Sequence, residues 1–232
     1  MHSKQTLIFG CLLLSAAALA GDVTCLSGPG SLKISNGQLA LEASPSGPLR
    51  LSSLDTQNGA PAMTLTFSNS GTGAAAVISR WSFEKNSPAE ALVNFYSEKP
   101  DRLVASCSFK KNSDYLAVTA GHYFETVRMD FKSEIAVLPD MLSGEDFIYM
   151  PQGQKSLCRV PSDSFCLLDL IKGGSAMAAV MWGAAGTEVF LGKNQVQNNE
   201  FDFNKIKLAA DRRFWAGFVT APGVWARLPE PP

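Results

Sequence analysis

Cys158 and Cys166 bracket the segment CRVPSDSFC with a C-x7-C spacing. Structural zinc takes four Cys or His ligands, usually grouped in close pairs, whereas Cys25 and Cys107 lie far away in the chain. A thioredoxin-like redox centre needs C-x-x-C at a helix start, which is absent. Folded as a hairpin about Ser162, the segment would set Cys158 directly opposite Cys166, ~4.5–5.5 Å apart at Cα and within disulfide range. The spacing therefore predicts a cross-strand staple, worth ~2.6 kcal/mol on the chain-entropy model. With Cys11 of the N-terminal segment set aside, Cys25 and Cys107 remain as a second pair, although four cysteines permit three pairings.

The acidic stretch PDMLSGEDFIYMP gathers Asp140, Glu145 and Asp146 on a glycine-containing loop with Tyr149 close behind. Such groups make contacts to sugar hydroxyls or calcium. The EF-hand spacing is missing, and a glycosidase needs two carboxyls ~5–10 Å apart; Asp163 completes the carboxylate pool for that chemistry. The competing reading is a solvated loop. Trp225, beyond Pro222-Gly223, is expected in an exposed loop and joins this candidate ligand set. Trp182 and Trp215 sit in strands that are apolar on both parities, so both are expected in the core. His122 is the one histidine outside the N-terminal segment. It offers a single base to any Ser/His/Asp triad and excludes multi-histidine metal sites. Arg128 and Arg212-Arg213 fit no motif. In IKGGSAMAAVMW the lysine precedes the glycines, against the Walker order. Gly173-Gly174 reads as a hairpin turn, with 176–182 as a central strand, over the alternative of a helix N-cap at Gly174-Ser175. Neither a metal nor a cofactor is expected.

The elements that must position these residues are strands. SLKIS, QLALEA, AMTLTFS, ALVNFYS, RLVASCSF and DYLAVTA alternate and are separated by Gly, Pro, Asn, Asp and Ser, the pattern of an all-β sandwich or barrel. Asn36-Gly37 predicts a two-residue type I′ hairpin turn, and the KNSD segment at 111–114 another turn. A looser turn is expected at Asn58-Gly59. From His122 to Leu138 the alternation runs long enough for a bent strand, or for two strands meeting near Lys132-Ser133. Ser87-Pro88-Ala89-Glu90 predicts one helical turn before a strand. The fold class expected is a large antiparallel β-sandwich with at most one or two short helices.

Residues 1–20 have the charged, apolar and A-x-A parts of a secretory signal, with cleavage expected after Ala20. Too few apolar residues precede Cys11 for a lipid anchor. Processing leaves 212 residues, 21 acidic against 19 basic side chains, and no apolar run long enough for a membrane-spanning helix. That balance implies neither a nucleic-acid nor an anionic-membrane partner. Residues 21–226 are expected to form one β-sandwich domain, with 227–232 a Pro-rich tail, exported to the periplasm or beyond.

LKISNGQLALEASPSGPLRLSSL resembles the opening hairpin of galactose-mutarotase-like supersandwich domains. LPDMLSGEDFIYMPQ, RVPSDSFCLLDLIKGGSAMAAVMW and APGVW together resemble a recurrent pattern in large, uncharacterised secreted bacterial proteins. The resemblance implies a β-supersandwich and a carbohydrate ligand. It does not bring mutarotase catalysis, which uses histidines with a glutamate. A non-catalytic secreted module is therefore expected, binding carbohydrate or packing against a neighbouring module of a polysaccharide-processing protein. The alternatives are a carboxylate-dependent glycan-active enzyme and a structural module of a larger envelope protein.

Overall fold

The computed structural model describes residues 21–54, 62–69, 71–98, 101–139, 146–149, 156–159, 164–171, 177–184, 188–193 and 201–220; in 130–139, from 146 to 206 and at 219–220 the description is of backbone and register. Among these residues there is no helix. The strands, in chain order, are β1 (Thr24–Gly28), β2 (Ser31–Ser35), β3 (Leu39–Ala43), β4 (Leu49–Ser53), β5 (Ala62–Ser68), β6 (Ile78–Asn86), β7 (Glu90–Ser97), β8 (Arg102–Lys110) and β9 (Tyr115–Ala120). There follow β10 (Thr126–Pro139), β11 (Asp146–Tyr149), β12 (Ser156–Arg159), β13 (Ser164–Ile171), β14 (Met177–Ala184), β15 (Glu188–Lys193), β16 (Phe201–Lys207) and β17 (Arg213–Thr220).

All pairings are antiparallel, and they build the expected β-sandwich. The first sheet runs β1-β2-β3-β4-β5, then passes through the first half of β10 to β16, β15 and β12. The second runs β6-β7-β8-β9-β17, then continues through β14 and β13 to the second half of β10. One long strand thus belongs to both sheets. Ser133 faces Phe201 of β16 on one side and Ile171 of β13 on the other, and the register shifts on each side of it. Such bulges bend a strand and increase its twist. The bent-strand expectation for this stretch is met, with the bend at Ser133.

Period-two alternation decides what enters the interior. In β5, Met63, Leu65 and Phe67 are buried while the residues between them are partly exposed. In the second sheet Val93, Cys107, Val118 and Phe214 stand in one ladder row and are all buried. Phe67 and Phe214 meet across the interior with ring centroids 6.4 Å apart. Burial of each such ring stabilises the fold by ~1.5–3 kcal/mol relative to exposure. At the side away from β10, Cys25, Trp81 and Phe83 close the core, and Trp81 Nε1 donates to Ser27 Oγ at 3.2 Å.

Several local expectations change in detail. The positive φ of the first hairpin falls on Gly37 (+87°) and not on Asn36, so Gly37 is the first central residue, as a type II′ turn requires. Asn36 has another task. Its Oδ1 accepts from the backbone N–H of Gln38 and Leu39, and its Nδ2 donates to the carbonyls of Lys110 and Ser113, both at 2.8 Å. The two donors and two acceptor sites of the amide are all used, which explains how a fully buried polar side chain is tolerated. Ser87 and Glu90 exchange both backbone hydrogen bonds. Pro88-Ala89 is therefore a hairpin turn and not a helical one, because proline presets φ equally well for a turn position i+1. The 111–114 turn is present, with Asn112 at φ 56°. β13 and β14 pair antiparallel, so the strand expected at 176–182 exists from Met177 and lies between β13 and β17, while the Gly173-Gly174 turn lies outside the described residues. The turn at Asn58-Gly59 lies outside the described residues.

Candidate functional site

Only part of the predicted ligand set is placed. Asp140, Glu145, Asp163 and Trp225 lie outside the described residues. Asp146 and Tyr149 begin and end β11, opposite Pro139 and Ala136. Tyr149 shares its ladder row with Ala136, Asp169, Ala179 and Phe218, whereas Trp215 shares its row with Ala117 and Trp182. Those rows cross β17 three residues apart and so have opposite parity. The two aromatic positions are not brought together.

The cysteines are not organised as expected either. Cys25 and Cys107 are both free thiols. Cys25 is on the edge strand β1, opposite Ile34, while Cys107 is central in the other sheet between Val93 and Val118. The two thus belong to different rows of different sheets, so the expected second disulfide is absent. Burial pushes both thiols up, Cys107 most strongly. Cys158 has Val189 as its ladder partner and Cys166 has Trp182. The opposition on which the staple was argued is not among the described pairings, and the two side chains lie outside the description.

His122 is exposed and hydrogen-bonded through Nδ1 to the Arg212 guanidinium at 3.1 Å. A guanidinium only donates, so Nδ1 accepts and the imidazole carries its proton on Nε2. A triad needs the reverse, an acceptor such as a carboxylate holding Nδ1–H. Arg212 has φ 54°, and its Nε is buried without an acceptor. Next to it, Arg102 stacks over the Tyr123 ring at 3.8 Å, while Asn69 Nδ2 fixes the Tyr123 carbonyl at 2.9 Å. Among the described residues no three His, Cys, Asp or Glu side chains gather closely enough to hold a metal ion.

The most distinctive surface is the outer face of the second sheet. β17 sends Phe214, Ala216 and Phe218 into the core, which leaves Arg213 and Trp215 on the other face. Trp215 is accordingly half-buried on the outside and not a core residue as expected. Two-sided apolarity misled there: in RRFWAGFV the arginine at 213 marks the solvent parity, and Trp215 shares it. Trp215 is followed across the sheet by Ala117, Ser108 and Leu92, and Trp182 stands directly opposite it on β14. The neighbouring row is polar throughout: Arg213, Thr119, Ser106, Asn94 and Ser82. Ser106 Oγ donates to Asn94 Oδ1, and Asn94 Nδ2 to Glu84, each at 2.6 Å. Glu90 receives bonds from Ser108 and Lys85, and the Lys85 ammonium holds its carboxyl below the usual range. On the following row Tyr115 lies against Gly217, where an added Cβ would meet the Tyr115 ring at 2.9 Å. One indole, small neighbours and a strip of hydroxyl groups, backed by the buried Asn94 amide, make an amphipathic ledge. By contrast, the outer face of the first sheet carries charged positions in register, with Lys33 opposite Glu42 and Glu42 opposite Arg50.

Comparison with models of protein families and with curated proteins finds no match to this chain.

Proposed function

We propose that the chain is an exported, non-catalytic β-sandwich module that binds carbohydrate on the outer face of its second sheet, as an accessory to polysaccharide processing. The observation that carries this reading is Trp215, half-buried outside the core beside Ala117 and Ser108 and one row from Thr119, Ser106 and Asn94. A sugar ring has an apolar C–H face and an equatorial rim of hydroxyls. An aromatic side chain with an apolar body next to convergent polar groups matches both. The secretory pattern of residues 1–20 agrees with a polymer met outside the cytoplasm. The reading rests on this face, whose side chains are described, and not on the acidic segment at 140–149, of which only the backbone and register of β11 are described. Affinity electrophoresis of the purified chain through gels containing soluble polysaccharides tests the proposal. Retardation by at least one polymer, lost in Trp215→Ala with an unchanged circular dichroism spectrum, is expected; no retardation across the panel overturns it.

A further inference from the structure

We infer that the glycan taken by this face is anionic, with a carboxylate or sulfate group seated at Arg213. This rests on the carbohydrate reading above and adds the chemistry of the ligand. Arg213 and Trp215 are two residues apart on β17 and therefore point to the same face, ~6.6–6.8 Å apart along the strand. Arg213 is exposed, and among the described residues its guanidinium is in no ion pair. Of the other cations on that face, Arg80 donates to Asp101 and lies over Tyr96, Lys85 is bonded to Glu90, and Lys110, opposite Glu90, lies across the Trp215 row from the row of Arg213. The carboxylates that would repel an anion are engaged as well, Glu84 by Asn94 and Glu90 by Lys85 and Ser108. Asp211 lies beside Arg213, but its Oδ1 accepts from the Arg213 backbone N–H.

The surroundings of Arg213 extend the positive character. The preceding residue, Arg212, reaches His122, and the loop that carries His122 and Tyr123 also holds the Arg102 guanidinium. Three arginines thus border one end of the Trp215 face. The chain as a whole is slightly acidic, but screening confines surface charges to ~8 Å at physiological salt, so the local field governs a bound sugar. Guanidinium donors present a planar fork that fits a carboxylate or sulfate oxyanion, while the ring stacks on the adjacent indole.

The test is affinity electrophoresis of the chain lacking residues 1–20 against polygalacturonate, dextran sulfate and a neutral panel of dextran, xylan and hydroxyethylcellulose. At least one acidic polymer should bind on the order of tenfold more tightly than any neutral one. Arg213→Ala should lose roughly tenfold of that affinity, as expected for a hydrogen bond to a charged group. Lys110→Ala, a cation on β8 with β9 between it and β17, should leave it unchanged. Preference for polygalacturonate identifies the oxyanion as carboxylate and preference for dextran sulfate as sulfate; both support the inference. It is overturned if neutral polymers bind as tightly, if Arg213→Ala is silent, or if Lys110→Ala is equally damaging. Neutral binding that is lost in Trp215→Ala overturns only the anionic preference, whereas no binding to any polymer overturns the carbohydrate reading itself.

Discussion

The side-chain amide of Asn36 donates to the backbone carbonyl of Ser113 at 2.8 Å, across 77 residues of chain, and thereby fastens the β2–β3 hairpin to the β8–β9 hairpin of the other sheet. The same amide satisfies Lys110 and two turn N–H groups. Asn36→Ala would leave buried carbonyl and amide groups without partners and should cost ~3 kcal/mol. Asn36→Asp should cost at least as much, since a carboxylate oxygen would then face the two carbonyls. Urea unfolding midpoints check both; a loss under ~1 kcal/mol for Asn36→Ala would mean that the clip is dispensable.

Gly37 is at φ +87°, and a Cβ there would stand 2.7 Å from the Cα of Gly21. Gly73 also has positive φ (+69°), but nothing lies within 4 Å of its added Cβ. Gly73→Ala should therefore cost only the backbone term of ~1–2 kcal/mol, and Gly37→Ala clearly more. Comparison of the two melting temperatures separates backbone strain from packing.

Cys107 sits in the buried row with Val93, Val118 and Phe214, and its thiol is pushed up by burial. Alkylation follows the thiolate and its exposure. Mass spectrometry after iodoacetamide treatment should find Cys107 unmodified in the native protein and modified only in denaturant, with no disulfide to Cys25. Rapid native labelling of Cys107 would contradict the packing.

Lys85 lowers the Glu90 carboxyl, first through a hydrogen bond and then through its charge. A depressed folded value means that stabilisation is present above the unfolded carboxylate range and lost as pH falls through the folded value. Glu90→Gln should therefore be less stable than the parent at neutral pH, and the gap should shrink below about pH 4. Melting temperatures of both proteins between pH 7 and pH 3 give the answer; a constant gap would mean that the charge is not responsible.

Much of this architecture is legible in local sequence. Asn36-Gly37 marks a hairpin, KNSD marks a turn, and the alternation of 122–138 anticipates β10 and its bend near Ser133. What local sequence does not carry is which parity of a two-sided apolar strand faces the core. Trp215 was assignable only through Arg213, and Asn36 reads as a turn residue because its partners Lys110 and Ser113 are remote. The Cys25–Cys107 pair was illegible for the same reason, since the two fall in different sheets. Neighbours in sequence need not be ladder partners, and Cys158 pairs with Val189 across 31 residues.

Binding through Trp215 is the central claim, and one comparison tests it most directly. Trp215→Ala and Trp81→Ala, each shown to be folded by circular dichroism, are run through affinity gels against the polymer that retards the parent. Trp81 closes the core at the β1/β6 side through its bond to Ser27 and lies away from the Trp215 face. Retardation retained in Trp81→Ala and reduced at least tenfold in Trp215→Ala is the expected result, a loss of ~1.4 kcal/mol or more. Equal retardation of both variants and the parent would contradict the account.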